Sequence, residues 1–358
     1  MRIMNNKEEM LIRELRDTTA QWVKGDGPFN HVVISTRMRL ARNIKGIPFP
    51  FKASNEQLKK VLVESKNLLK NKKYFSNFKI IKINDLNKTD IQFLVEKRLI
   101  SIALAQLNNP YCAFIYKPDE AISIMINEED HFRIQCMLPG FRLNKGWEII
   151  NDCDNQVMQD IEYAFNENEG FLTCCPTNVG TGLRASVMLH LPALFILDRL
   201  NKIMNSISEM GYAVRGFYGE GTDFQGSLFQ VSNQVTLGLN EEEIIENLAS
   251  VIKGMIEEEV KAREELMINS RHKMEDLVMR AYGVLTNARI ISTREALDLL
   301  STIRFGIELG ILSKIGYDTI NRLMLIIQPG YIQLLKSKIM REEERDLSRA
   351  ELIQEFLN

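Results

Sequence analysis

The 358-residue chain is short of the features that mark several large protein classes. Its five cysteines, Cys112, Cys136, Cys153, Cys174 and Cys175, are an odd number and include no two matched CxxC pairs, which speaks against a disulfide framework and a structural zinc site. No apolar run reaches the ~20 residues of a membrane span, and the first fifteen residues mix charge with apolar side chains where a signal peptide would be uninterrupted. A cytoplasmic address without membrane attachment is expected. Charge of one sign is also missing: 45 basic against 47 acidic residues leave −2, so no global field draws the chain to nucleic acid. There is no internal repeat, no GxxxxGKS/T loop, no GxGxxG between strand and helix, and no HRD or DFG triplet. If ATP binds, arginines must hold it.

What is present is a chain 45% hydrophobic, long enough for two domains with a sizeable core. Apolar runs rich in β-branched residues predict strands over 31–35, 78–83, 121–126, 132–138, 212–218 and 229–237. Between Asn155 and Phe165, apolar Val157, Met158, Ile161, Ala164 and Phe165 share a helical face, and the apolar run behind Arg184 reads as a core-forming helix. After Leu239 only helices are expected: Asn240 with Glu243 and Ser292 with Glu295 form capping boxes, and a helix over 318–327 stops at Pro329-Gly330. The expected architecture is α+β: an N-terminal helical extension (1–30), a catalytic domain with an antiparallel sheet flanked by helices (31–255), and a smaller all-helical C-terminal domain (256–358).

Four separated segments concentrate charge at strand ends or beside glycine. In "AISIMINEEDHFRIQCML" two strands flank a polar turn carrying Glu128, Glu129 and Asp130, and alternation puts Arg133 and Gln135 on one face, with Phe132, Ile134 and Cys136 on the other. The plain alternative is a solvated acidic turn. "STRMRLARN" packs Arg37, Arg39 and Arg42 into six residues, a repulsive density unless an anion sits there. "RGFYGE" places Arg215 and Glu220 on a glycine-flanked loop. In "CCPTNVGTGLRA", Gly180 and Gly182 permit close backbone approach to a ligand just ahead of Arg184. Singly, each arginine is a surface charge; jointly they read as a polyphosphate cradle.

Together these segments resemble the phosphagen kinase superfamily, whose creatine and arginine kinases carry an NEEDH turn, a CPxNxGTGLRA loop and an RGxxGE-like loop. "VVISTRMRLARN", "NEEDHFRIQC", "CPTNVGTGLRASVMLHLPAL", "RGFYGEGT", "FQVSNQVTLG" and the C-terminal "RDLSRA" are similar, in order and over nearly the whole chain, to the bacterial protein arginine kinase family, McsB. The resemblance implies that ATP is surrounded by Ser35, Thr36, Arg37, Met38, Arg39, Arg133, Arg184, Ala185, Ser186, Val187, Met188, Arg215, Gly216, Phe217, Tyr218, Gly219 and Glu220. It implies that Glu129 and Glu220 hold the acceptor guanidinium beside Cys175, and that Arg345, Asp346, Arg349 and Ala350 form an allosteric phosphoarginine site. Two positions depart from the family: Cys174 stands where serine is usual, and Arg98 where a nucleotide-contacting histidine is common. Arginine can serve a phosphate or stack on a base.

A guanidinium keeps its proton at physiological pH and is a poor nucleophile while it does, so a carboxylate must orient and deprotonate it; Glu129 is the expected base. Phosphoryl transfer relies on positioning and charge neutralisation, here from the arginines and Mg²⁺ brought with ATP; no protein metal site is expected. The implied activity is phosphorylation of arginines exposed on proteins, such as a stress repressor or misfolded chains, marking them for a Clp ATPase and its protease. A zinc-binding activator of the McsA type and a homodimer through the helical part are the implied partners. The alternatives are a kinase of a free small guanidine and a non-catalytic phosphoarginine-binding adaptor. Against the former, the STRxR segment begins at Ser35, where creatine and arginine kinases have a whole helical domain ahead of it.

Overall fold

In the computed structural model, which describes residues 6–71, 73–216 and 227–358, one antiparallel sheet organises the chain. The elements in chain order are α1 (Asn6–Asp17), β1 (Val33–Arg42), α2 (Asn55–Asn71), β2 (Lys79–Lys82), α3 (Lys88–Glu96), α4 (Ile102–Gln106), β3 (Ala113–Tyr116), β4 (Ile122–Ile126), β5 (Phe132–Pro139), α5 (Leu143–Met158), β6 (Phe165–Asn166), β7 (Gly170–Phe171), β8 (Leu183–His190), α6 (Pro192–Ile196), α7 (Leu200–Glu209), β9 (Tyr212–Gly216), β10 (Leu228–Asn233), α8 (Glu241–Asn287), α9 (Thr293–Glu308), α10 (Tyr317–Ile326), α11 (Pro329–Leu335) and α12 (Glu342–Leu357). Eight strands hydrogen-bond in the order β2-β3-β4-β5-β1-β8-β10-β9, and β6-β7 is a separate hairpin. No helix among the described residues is long and apolar enough to cross a membrane.

Because side chains alternate along a strand, the register sorts this sheet into two chemically different faces. One carries Met38 and Leu40 of β1, Ile134 and Cys136 of β5, Ala185 and Val187 of β8 and Phe229 and Val231 of β10, all buried against Ile150 and Val157 of α5 and Ile245 and Leu248 of α8. The other carries the arginines. It is apolar at Met125, Met137, Met188 and Leu228, and there a second core joins α1 and α3 to the C-terminal helices through Leu15, Leu94, Leu297, Leu323 and Tyr331. Each such side chain contributes about 1.5–3 kcal/mol when buried, so the helices cover this face where it is apolar and leave the arginine stretch as a cleft.

Several boundaries follow the capping chemistry. Asn240 accepts a hydrogen bond from the Glu243 N–H and Glu243 reciprocates, opening α8; Ser292 caps α9 in the same sense through Glu295 N–H. Helix α8 runs unbroken past residue 255, where the sequence suggested a boundary, and its one non-helical residue is Ser270. Pro329 both follows α10 and opens α11, where its missing N–H costs nothing.

Two expectations are corrected. The run behind Arg184 is strand β8, not a helix: hydrogen-bonded to β1 and β10 and covered on both faces, it reads as a continuous apolar stretch without strand alternation. Residues 155–165 are not one helix either. Helix α5 begins earlier and ends at Met158, after which Ala164 donates its N–H to the Asn43 carbonyl (2.7 Å) and Lys45 to Glu162 (2.9 Å), tying the segment to the end of β1. Strand β3, only four residues long between Asn109-Pro110 and Pro118-Asp119, escaped sequence reading altogether.

Candidate active site

The cross-strand register brings the separated arginines onto one face. Arg39 lies opposite Gln135 on β5 and opposite Arg184 on β8; Arg37 lies opposite Ser186; Ala41 lies opposite Arg133; and the row from Ser35 through Met188 and Gln230 ends at Arg215 on β9. Arg37, Arg39, Arg133 and Arg215 line a cleft of about 380 Å³, lined also by Trp22, Glu96, Arg98, Ser101, Met324, Leu325 and Gln328. Arg37 donates to the Gln135 carbonyl oxygen Oε1 from Nε (3.1 Å) and Nη2 (2.5 Å), while the Gln135 amide donates to the Arg98 backbone oxygen (2.6 Å). Arg133 donates twice to Glu128, at 2.7 and 2.8 Å.

Arg39 is different. Its Nε and Nη2 are buried with no hydrogen-bond partner among the described residues. Burial first, then the guanidinium groups of Arg37, Arg133, Arg184 and Arg215, push its pKa well down; the same causes, burial and then Arg133 and Arg98, lower that of Arg37 to about 9. A guanidinium rarely gives up its proton, so the cluster stores unrelieved positive potential that an anion would remove.

A second chamber of about 80 Å³ adjoins the first through Arg39 and Arg133, and is lined also by Glu129, Asp130, Cys175, Asn178 and Arg184. The Asn127–Asp130 turn is not a solvated acidic tip: Glu128 and Asp130 are only 4% and 2% exposed. Burial opposes ionisation of Glu128, but Arg133 outweighs it and lowers the pKa, with Ser101 as a further donor. Asp130 accepts from Asn43 Nδ2 (2.6 Å) and from the Cys174 backbone N–H (2.7 Å), fixing the cysteine loop to the turn. His131 accepts the Ile44 N–H at Nδ1, leaving Nε2 to donate to the Pro48 carbonyl, and burial lowers its pKa to about 4. Glu129 is thereby the turn's carboxylate that opens to the chamber. Its pKa is raised, first by partial burial and then by the Asp130 carboxylate, against the pull of Arg133. Cys175 Sγ lies 3.0 Å from Thr177 Oγ1.

The wall carrying Cys175 is shaped by glycine. Gly180 has φ +110°, and a Cβ there would meet the Thr236 carbonyl oxygen at 2.2 Å. Arg42, grouped with Arg37 and Arg39 in the sequence, faces away from them: it is buried, pairs with Asp154 at 2.7 Å and donates to the Thr181 carbonyl at 2.9 Å, bracing this loop from behind.

A face of arginines beside the exposed Glu129 carboxylate and a cysteine suits a polyanion and a cationic acceptor. Residues 59–262 match the ATP:guanido phosphotransferase C-terminal catalytic domain, and residues 271–358 the protein-arginine kinase McsB C-terminal domain. The chain belongs to the ATP:guanido phosphotransferases. It is 45% identical over 344 residues to the protein-arginine kinase of Moorella thermoacetica, covering 95% of this chain and 98% of that one, and 42% identical over 346 residues to the protein-arginine kinase of Bacillus subtilis, covering 96% and 95%. Lombricine kinase shares the fold, with a TM-score of 0.58 at 23% identity over 68% of this chain and 71% of that one. As a guanidino phosphotransferase it uses ATP as phosphoryl donor.

Within the phosphotransferase the expected nucleotide residues divide by strand parity. Ser35, Arg37, Ser186 and Met188 meet Arg98 and Gln230 in a small recess of the arginine face. Thr36, Met38, Ala185 and Val187 turn to the opposite face; Thr36 Oγ1 donates to the Gly140 carbonyl at 2.7 Å. Gly216 ends β9, and Phe217, Tyr218, Gly219 and Glu220 lie outside the described residues. Sequence reading missed Trp22, Glu96, Ile100, Ser101, Met324, Leu325 and Gln328, which reach the cleft from helices and loops distant in sequence. Only Gln135 carried a signal, its shared strand face with Arg133.

The two arginines of the C-terminal motif differ in exposure. Arg349 is 1% exposed, donating to the Ile327 carbonyl (2.9 Å), the Ile291 carbonyl (2.8 Å) and Asp346, and Ala350 is buried beside it. Arg345, one turn earlier, is half-buried and donates to the Met340 carbonyl at 2.8 Å.

Proposed function

We propose that this phosphotransferase is a protein-arginine kinase, transferring the γ-phosphoryl group of ATP to arginine side chains of proteins. The observation that carries the reading is the convergence of Arg37, Arg39, Arg133, Arg184 and Arg215 on one sheet face, with Glu129 and Cys175 in the adjoining chamber. Kinship over almost the full chain with proteins named protein-arginine kinase supports the choice of acceptor.

In this mechanism the triphosphate lies along the arginine face, where Arg39 gains the acceptor its buried N–H groups lack. Mg²⁺ brought with the nucleotide would neutralise part of the triphosphate charge. The substrate guanidinium enters the small chamber and hydrogen-bonds Glu129, with Cys175 beside it and Glu220 as a second carboxylate. Glu129 takes the proton of the attacking nitrogen as the P–N bond forms and the bond from γ-phosphorus to the bridging oxygen breaks, the electron pair leaving with ADP. The raised pKa of Glu129 suits a base better than that of an ordinary surface carboxylate.

We extend the proposal, on the resemblance to the McsB family, to protein substrates that include a stress repressor and misfolded chains, a McsA-type activator, delivery to a Clp ATPase, a homodimer through the helical part, a cytoplasmic setting and phosphoarginine regulation at Arg345, Asp346, Arg349 and Ala350. Incubating the purified protein with ATP-Mg²⁺ and either free arginine or an arginine-rich protein tests the acceptor. Acid-labile N-phosphate on protein alone is the expected result; product on free arginine alone would assign a small-guanidine kinase, and none on either an adaptor.

A further inference from the structure

Two arginines reach the cleft from different parts of the chain, Arg37 from the middle of β1 and Arg98 from the turn that follows α3, and both also line the recess shared with Ser35, Ser186 and Met188. One buried amide connects them. Gln135 on β5 is 2% exposed, and every hydrogen-bonding position of its side chain is filled: Oε1 accepts from Arg37 Nε (3.1 Å) and Nη2 (2.5 Å), while Nε2 donates to the Arg98 carbonyl (2.6 Å) and to Ser123 Oγ (2.7 Å). The partners force this orientation of the amide, since a guanidinium only donates and a carbonyl only accepts. Ser123, opposite Gln135 on β4, passes the restraint on by donating to the Leu99 carbonyl (3.0 Å). The pair β4-β5 thus grips both residues of the turn that sets out Arg98 in its left-handed conformation.

Arg37 is held differently from comparable arginines. Arg42 pairs with Asp154 (2.7 Å), Arg133 with Glu128 (2.7 Å) and Arg263 with Glu259 (2.8 Å), each with a carboxylate that cancels its charge. A glutamate matches glutamine in size and would give Arg37 the stronger, charge-assisted bond. The amide orients the guanidinium and leaves its charge uncancelled, with Arg133 and Arg98 close enough to repel it. A strut of the fold is better served by a carboxylate, a seat for phosphate by the amide. We propose that Gln135 is a positioning residue for the nucleotide: it holds Arg37 and the Arg98 turn as one unit, so that both guanidinium groups face the same stretch of the triphosphate, and its neutrality keeps the charge of Arg37 available there. The inference deepens the reading of the arginine face as the nucleotide site and rests on it.

The test is the dissociation constant of ATP-Mg²⁺, measured calorimetrically on the intact protein without any acceptor, for the wild type, Arg37→Met, Gln135→Met, Gln135→Glu and the double variant Arg37→Met/Gln135→Met. The carboxylate introduced by Gln135→Glu, among Arg37, Arg39, Arg98 and Arg133, stays ionised across the assay range. Gln135→Glu should therefore raise Kd roughly tenfold, the loss of one charge-assisted contact, and weaken its dependence on ionic strength, because one fewer uncancelled cation meets the phosphates. Gln135→Met should raise Kd several-fold in the wild-type background and clearly less in the Arg37→Met background, since the amide acts in part through Arg37. If the carboxylate, set against the Arg98 carbonyl, prevents folding, the Gln135→Met cycle decides alone. Equal proportional rises in the two backgrounds, or unchanged affinity in the Gln135 variants while Arg37→Met binds weakly, would make the amide a structural bridge and overturn the inference. Unchanged affinity in Arg37→Met would remove the nucleotide from this face, and the underlying reading would fall with the inference.

Discussion

Arg39 on β1 and Arg184 on β8 are directly paired across the sheet, two guanidinium groups side by side on one face, and Arg39 has two buried N–H donors without an acceptor. Like charges opposite one another weaken a sheet, and an unsatisfied buried donor costs about 1–3 kcal/mol. The arrangement is therefore a liability of the empty protein, one that the triphosphate would offset in the proposed function.

Arg39→Met should raise the melting temperature of the ATP-free protein by a few degrees, since it removes both costs. The same variant should lose ~10²–10³ in kcat/KM and most of the melting-temperature rise that ATP-Mg²⁺ gives the wild type. Thermal melts with and without nucleotide, beside a coupled turnover assay, measure this. A variant less stable than wild type and fully active would show that Arg39 is a fold strut.

Glu129 yields a prediction with a definite sign. Its pKa is raised and the base acts when deprotonated, so kcat/KM should fall on acidification through a limb displaced above the ~4.3 of an ordinary glutamate. Glu129→Gln should abolish that limb and lower turnover by ~10²–10⁴ with ATP affinity retained. A limb that persists in the glutamine variant would assign the titration to another group.

What the sequence made legible was local and periodic. Alternation on β5 separated Arg133 and Gln135 from Ile134 and Cys136, and the Asn240–Glu243 box located the start of α8. The joint reading of Arg37, Arg184 and Arg215 as one cradle came from charged segments at strand ends and beside glycine, and its physical basis is the β1-β8-β10-β9 register, which no single segment encodes. The apolar wall of the cleft was illegible: Met324 and Leu325 look like any core face of an amphipathic helix, and only tertiary packing turns them toward the arginines. The burial of Arg349 was equally illegible: nothing local in the RDLSRA segment shows that its side chain is drawn in to satisfy the carbonyls that close α10 and precede α9.

Arg98 tests the nucleotide end of the cleft without disturbing the backbone. It has φ +62°, a left-handed conformation that glycine adopts without strain, and its guanidinium sits 5.9 Å from the Trp22 ring centre at the cleft wall. Arg98→Gly should keep or slightly raise thermal stability while raising the ATP KM roughly tenfold, the loss expected of one charge-assisted contact, with kcat little changed. An unchanged ATP KM would place the nucleotide elsewhere in the cleft.

Arg345 and Arg349 should separate cleanly although they share one motif. Arg349 donates to the Ile327 carbonyl, and the next residue, Gln328, lines the arginine cleft; Glu96, also at the cleft, accepts the N–H groups of Gly330 (2.8 Å) and Tyr331 (2.9 Å). The corner from Ile327 to Tyr331 is thus held from the motif on one side and from the cleft on the other. Truncating Arg349 strips hydrogen bonds from two carbonyls and leaves Asp346 unpaired, so Arg349→Ala should destabilise by about 1–3 kcal/mol and raise the ATP KM together. Arg345→Ala, which forfeits one bond to Met340 at a half-open position, should leave stability within about 0.5 kcal/mol of wild type and change only the response of activity to added phosphoarginine. Equal loss of stability in both variants would make the motif a helix clasp and nothing more.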